Sequence, residues 1–124
     1  MDALKNLDKQ YVVGTGMGLI SLTVTIGNGC DGTIEVSIGG RSQGINSRDT
    51  VTVPLGTANQ LKDQVIKVAS TSTQMNSAAN AIITYQFKGG SDDVPFTNPP
   101  DGETQPFDAS RIVQFLDKFT MVAA

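Results

Sequence analysis

Acidic residues with the spacing of possible catalytic or metal-binding pairs lie in the second half of the chain. Asp92 and Asp93 are adjacent, and Asp101 and Glu103 are two residues apart. Two carboxylates can act as general acid and base in glycoside hydrolysis. Both pairs lie in a proline-rich stretch, where a fixed separation is hard to maintain. The chain also lacks Trp and has only two Tyr for stacking on a sugar, so we expect no catalysis by these acids.

Calcium binding is a weaker alternative for the same acids. Ca²⁺ takes about six to eight oxygen ligands, often from flexible loops. Asp31 in an early turn could join Asp92, Asp93 and Asp101 if the loops meet at one end of the fold. No EF-hand pattern is present, and acids that simply keep a loop soluble are the favoured interpretation. We therefore expect neither a metal ion nor a cofactor.

Several residue types that carry common chemistry are missing. The chain has no His and a single Cys, Cys30, which excludes Ser-His-Asp and Cys-His catalysis, His-ligated zinc and an intrachain disulfide. Cys30 lies beside a glycine-rich turn, which favours an inert small residue over a reactive thiol. The glycines at 14, 16 and 18 precede a strand pattern and not a helix, so they indicate a flexible connection and not a phosphate-binding loop.

The charge distribution limits the partners. Nine basic and twelve acidic residues give a net charge of −3, and no basic run exists, which argues against binding to nucleic acid or to an anionic membrane. No apolar run is long enough for membrane insertion. The charged first ten residues lack the apolar core of a signal peptide. We therefore expect a cytoplasmic or particle-associated protein.

Alternating apolar and polar residues predict a succession of half-buried β-strands. The patterns cover residues 19–26, 33–38, 49–55, 61–70 and 82–87, and the glycine-rich turn at 27–32 predicts an antiparallel hairpin of the first two. Pro54 predicts that its strand ends there or lies at a sheet edge. The predicted inward residues are Leu22, Val24, Ile26, Ile34, Val36, Ile38, Val51, Val53, Ile66, Val68, Ile83, Tyr85 and Phe87.

Three segments have less definite patterns. Residues 2–10 allow a short N-terminal helix or an extended lead-in. Residues 39–47 are typical of a loop. Residues 111–122 match a helix through Ile112, Phe115, Leu116 and Phe119, but also match a strand on which Val113, Phe115, Phe119 and Met121 share a face that Asp117 interrupts. Their β-branched and aromatic content favours the strand.

Residues 91–110 differ in composition from the strands. They contain four of the five prolines and five acids, and prolines are excluded from central strands. Because a long irregular loop inside a domain is often functional, we predict a loop or arm that binds a partner through Phe96, Pro99, Pro100 and Phe107. In the alternative interpretation, the two Phe side chains merely pin the segment onto its own domain.

These patterns predict the fold class and, less directly, the function. We expect one all-β domain over residues 1–124, a two-sheet antiparallel β-sandwich that is Greek-key or jelly-roll-like. The missing catalytic groups and the weak charge favour a non-enzymatic structural protein that self-associates or docks on a partner through loops and the proline-rich arm. The alternative is a Ca²⁺-dependent ligand-binding sandwich, C2-like or lectin-like.

Overall fold

The computed structural model describes residues 1–91 and 95–123 and contains two β-sheets that pack against each other. The elements are β1 (Asp8–Val12), β2 (Leu19–Ile26), β3 (Asp31–Ile38), β4 (Arg41–Asn46), β5 (Thr50–Thr57), α1 (Ala58–Leu61), β6 (Val65–Thr73), β7 (Ile83–Lys88), β8 (Pro95–Asn98) and β9 (Ile112–Val122). The large sheet has the order β1-β9-β6-β3-β4 and the small sheet the order β5-β2-β7-β8. The β1–β9 pair is parallel, whereas the remaining neighbours in both orders pair antiparallel. The predicted β-sandwich is therefore confirmed.

The core lies between the inward faces of the two sheets. The predicted inward residues are buried, apart from Ile38 and Val51, which are half-buried and pack against the same core. Period-two alternation explains this agreement, because successive side chains on a strand point to opposite faces and only one face meets the other sheet.

The C-terminal segment is a strand, as its composition favoured. β9 lies between β1 and β6, and Val113, Phe115, Phe119 and Met121 point into the core. Asp117 has the same orientation and is fully buried. The helix interpretation was wrong. A helix would have buried Leu116 together with Phe115 and Phe119, whereas Leu116 is exposed and every second residue of β9 is buried.

The hairpin predicted for β2 and β3 is wrong. β2 pairs with β5 and β7 in the small sheet, whereas β3 pairs with β4 and β6 in the large sheet. Residues 27–30 carry the chain across the core, so the apolar faces of the two strands oppose each other instead of lying side by side. A local turn signal cannot distinguish these two arrangements, since both need a tight reversal.

Two further segments differ from the sequence-based expectation. The N-terminal region forms no helix; it is extended and includes β1, and it buries Leu7, Tyr11 and Val13 at odd positions. The expected loop at 39–47 contains β4, an edge strand that is almost wholly exposed and so lacks alternation.

Short elements complete the described chain. A capping box between Thr57 and Gln60 begins α1, a motif that the strand assignment for 61–70 overlooked. β5, which contains Pro54, lies at a sheet edge as predicted. Within the described ranges, no helix is long and apolar enough to cross a membrane.

Candidate functional site

The described part of the proline-rich segment folds back onto its own sandwich. β8 is the edge strand beside β7, and the Phe96 ring centroid lies 5.3 Å from that of Phe119. Phe107 is half-buried against the same core, and its N–H donates to the Ala79 carbonyl oxygen at 3.1 Å. Pro99 and Pro100 are also half-buried. These contacts match the alternative in which the segment is pinned to its own domain, whereas its binding to a partner stays a prediction.

The acids proposed as calcium ligands are not brought together where the structure describes them. Asp31 is the exposed first residue of β3, and Asp101 lies in the exposed turn that follows β8. Asp92 and Asp93 lie outside the described residues. Across residues 1–91 and 95–123, no three Asp, Glu or Cys side chains are close enough to hold a metal ion. The calcium alternative therefore has no structural support in that part of the chain.

Cys30 and the glycines at 14–18 occupy very different environments. Cys30 is buried, with its Sγ 3.8 Å from the Asn28 carbonyl oxygen, and a buried thiol in apolar surroundings has little reactivity. The glycines form an exposed connection from the large sheet to the small one, on which Met17 is 93% exposed. The first feature is consistent with packing and the second with a flexible link.

A buried polar cluster lies between the two sheets around Asp117. One carboxylate oxygen, Oδ1, accepts hydrogen bonds from the Leu7 N–H at 2.7 Å and from Asn98 Nδ2 at 2.8 Å. The other, Oδ2, accepts from the Tyr85 hydroxyl. Asn98 Nδ2 also donates to the Lys5 carbonyl oxygen at 2.9 Å. One carboxylate thus joins the N-terminal segment, β7 and the end of β8 to β9.

Burial determines the electrostatics of this cluster. Desolvation raises the pKa of Asp117 above its ordinary value, although the hydrogen bonds from Leu7, Tyr85 and Asn98 act in the opposite direction. Desolvation and then the neighbouring Asp117 charge raise the pKa of Tyr85 well above its ordinary value, so its hydroxyl remains a donor at neutral pH. Because the carboxylate is fully buried, a substrate has no access to it, and the cluster holds elements together.

A row of three apolar residues and one glutamate crosses the outer face of the large sheet. Ile45 is opposite Glu35, Glu35 is opposite Ala69, and Ala69 is opposite Leu116 on successive strands. We call these four residues the outer row. Ile45 is 68% exposed and Leu116 is 56% exposed, and the row lines an open depression of about 440 Å³. Single exposed apolar side chains are ordinary, whereas apolar side chains grouped on one surface mark interaction sites, so this row is the candidate interface of the large sheet.

Sequence reasoning missed both the cluster and the outer row, for different reasons. Asp117 carried a visible signal, because a lone carboxylate at an inward strand position must find buried donors. The outer row had no signal in the sequence. Ile45 lies in a segment without alternation, and the residues beside it are determined by the order of the strands. Its four residues come from four strands that meet only in the folded sheet.

Comparison with known proteins yields no relative from which a function could be transferred. No protein family model, curated protein or solved structure matches this chain. Any function must therefore be argued from its own residues.

Proposed function

We propose that this chain is a non-enzymatic structural protein that associates with further copies of itself. The observation that carries the proposal is the outer row, in which Ile45 and Leu116 expose apolar surface on the solvent-facing side of the large sheet. Solvent-facing strand positions are normally polar. Covering this row with protein would remove both side chains from water, which is favourable by about 25 cal/mol for each Å² of apolar surface buried.

A second copy is the partner that the surrounding charges favour. Glu35 lies within the row, while Lys67 and Lys118 point outward from the same sheet, Lys118 within 3.5 Å of Asp8 of its own chain. A face that carries charges of both signs beside apolar side chains can be complementary to itself, which a two-fold interface requires. The net charge of −3 adds little repulsion between copies.

We propose a main contact that lies outside the proline-rich segment. Phe96 and Phe107 already pack against their own core, so using them as anchors in a partner would first require unpacking them. The outer row has no such cost, because its apolar side chains already face solvent. We therefore place the principal interface on the outer face of the large sheet.

Charged substitutions in the outer row test the proposal. The variant Ile45→Lys with Leu116→Lys should reduce association at least tenfold, because each ammonium group would have to be buried at the interface. A suitable control is Thr50→Lys with Thr52→Lys, which places the same two charges at exposed positions of the small sheet. Sedimentation velocity over a range of protein concentrations measures the association.

Three outcomes of this experiment are informative. Loss of association in the outer-row variant alone supports the proposal, whereas equal association of all three proteins would remove the outer row as the interface. A parent protein that stays monomeric at every concentration contradicts self-association. Thermal unfolding with and without Ca²⁺ addresses the ligand-binding alternative, which requires calcium to raise the melting temperature.

A further inference from the structure

The N-terminal segment, residues 1–13, extends along β9. The N–H of Ala3 donates to the Gln114 carbonyl oxygen at 2.7 Å near one end, and that of Val13 donates to the Val122 carbonyl oxygen at 3.0 Å at the other. Between them, β1 pairs with β9 in parallel, from Asp8 opposite Lys118 to Val12 opposite Val122. The segment therefore covers a sheet edge that β9 would otherwise expose.

Three buried side chains anchor this segment. Leu7, Tyr11 and Val13 are at most 6% exposed. The Tyr11 ring stacks on Phe87 with centroids 4.5 Å apart, and its hydroxyl oxygen accepts a hydrogen bond from the Gly90 N–H at 3.0 Å. Buried aromatic anchors of this kind usually dominate the binding free energy of an interface.

The covalent link between the segment and the sandwich is short, and it is exposed from residue 15 to residue 18. Residues 14–18 connect β1 in the large sheet to β2 in the small sheet. A Cβ added at Gly16 or Gly18 would meet no atom within 4 Å, and Met17 is almost fully exposed. Fully extended, these five residues would span about 17 Å, enough to direct the segment away from its own sandwich.

The anchoring hydrogen bonds join positions that are far apart in the sequence. Three of these hydrogen bonds join residues that are 79–110 positions apart: Leu7 with Asp117, Tyr11 with Gly90, and Lys5 with Asn98. An identical segment from another copy could therefore form each of these bonds with the same geometry. Only the five-residue link would have to change conformation.

We infer that copies of this chain exchange their N-terminal segments, each inserting residues 1–13 along β9 of a neighbour. Exchange of an identical element costs little free energy, because the same hydrogen bonds and packing form between chains as formed within one chain. The inference rests on the proposed self-association and names a second interface for it. The outer row brings copies together, and exchanged segments link them.

Engineered disulfides between β1 and β9 test the exchange. Gln10 and Thr120 are strand partners, so Gln10→Cys with Thr120→Cys should form a disulfide within one chain in the closed form and between chains in the exchanged form. All variants carry Cys30→Ser to remove the native thiol. The pair Asp8→Cys with Lys118→Cys provides a second, independent position on the same two strands.

A matched control places the pair within the body of the sandwich. Ser37 and Lys67 are partners on β3 and β6, which no exchange of the N-terminal segment separates, so Ser37→Cys with Lys67→Cys should link only within a chain. Each variant is purified reduced and separated into monomeric and assembled fractions. Both fractions are then oxidised and analysed on a denaturing, non-reducing gel.

The inference predicts that the β1–β9 pairs in the assembled fraction migrate mostly at dimer mass or higher, while the control pair migrates at monomer mass. Monomer-mass products from both β1–β9 pairs in the assembled fraction would overturn the exchange and leave association through the outer row intact. The absence of any assembled fraction would contradict the exchange and the proposed function together. Free thiols in every fraction for both pairs would overturn the β1–β9 pairing on which the exchange depends.

Discussion

The N-terminal segment and the proline-rich segment both lie along a sheet edge, but they are attached differently. β8 of the proline-rich segment pairs with β7, so that Asn98 is opposite Ile83 only 15 positions earlier. The N-terminal segment pairs with β9, about 110 positions away. One attachment is a local hairpin, whereas the other connects the two ends of the described chain.

This difference makes the N-terminal segment the better candidate for the exchange that we infer. A local hairpin reforms within its own chain, because little loop entropy is lost when its strands pair. The β1–β9 pair closes a loop of about 110 residues within one chain, so more loop entropy is lost when it forms, and the same pair formed with a neighbouring molecule competes with it at high local concentration. The two segments meet at one group, since Asn98 and Leu7 both donate to Asp117 Oδ1.

The largest predicted effect compares one anchor from each segment. Tyr11→Ala should lower the free energy of unfolding by about 3–5 kcal/mol, the usual cost of removing a buried aromatic ring. Phe107→Ala should cost roughly half as much, because Phe107 is only half-buried. Urea unfolding measures both, and Leu4→Ala, at a residue that is 72% exposed, is the control. Equal losses at Tyr11 and Phe107 would mean that the two segments are held equally strongly.

The next prediction concerns the carboxylate that both segments share. Burial raises the pKa of Asp117, so the folded protein holds this proton more tightly than the unfolded chain. The resulting stabilisation is fully present below the unfolded pKa of about 3.9 and is lost as the pH rises through the raised folded pKa. In Asp117→Asn, the amide oxygen can still accept from Leu7 and Asn98, and its nitrogen can donate to the Tyr85 hydroxyl oxygen.

The measurement is the difference in unfolding free energy between Asp117→Asn and the parent protein at a series of pH values. We expect this difference to move in favour of the variant as the pH rises from below about 4 towards neutrality. Other titrating groups are common to both proteins and cancel in the difference. A difference that stays constant over this range would show that Asp117 does not titrate with a raised pKa.

The sequence predicted the interior of the sandwich better than its edges. Strands such as β2 and β7 have one wet face, so alternation predicted Leu22, Val24, Ile83 and Phe87 as inward, and these residues are buried. β4 buries little on either face and has no pattern to detect. Alternation reports burial, so it does not detect a strand that is almost wholly exposed.

The order of the strands in each sheet could not be predicted from the sequence either, and the candidate interface depends on that order. The turn between β2 and β3 predicted a reversal but not whether the chain stays in one sheet or crosses to the other. Ile45 and Leu116 form one row only because β3 and β6 lie between β4 and β9. Asp117 could have been recognised from its inward position, but its donors lie on elements that the sequence does not place together.

The smallest predicted change in stability concerns the turn after β8, where an ion pair joins the proline-rich segment to the N-terminal segment. Asp101, Glu103 and Thr104 are exposed, and Glu103 pairs with Lys5 at 3.1 Å. Replacing Asp101 and Glu103 with Ser should change the unfolding free energy by no more than about 0.5 kcal/mol, because exposed ion pairs contribute little. Gly102 stays in place, since its φ of 84° suits glycine. Unfolding in urea measures the change, with the parent protein alongside.

If the loss of unfolding free energy is larger than this, a measurement in high salt distinguishes an effect of charge from an effect of packing. At about 1 M salt the screening length falls to about 3 Å, so a contribution from the Lys5–Glu103 pair would shrink and the two proteins would become equally stable. A loss of about 2 kcal/mol that persists in high salt would exceed what exposed charges contribute and would mean that the turn holds the N-terminal segment by packing. The local and the distant attachment would then depend on each other. Exchange of residues 1–13 would then also require the proline-rich segment to move. If only a weak ion pair joined the two segments, no such movement would be needed.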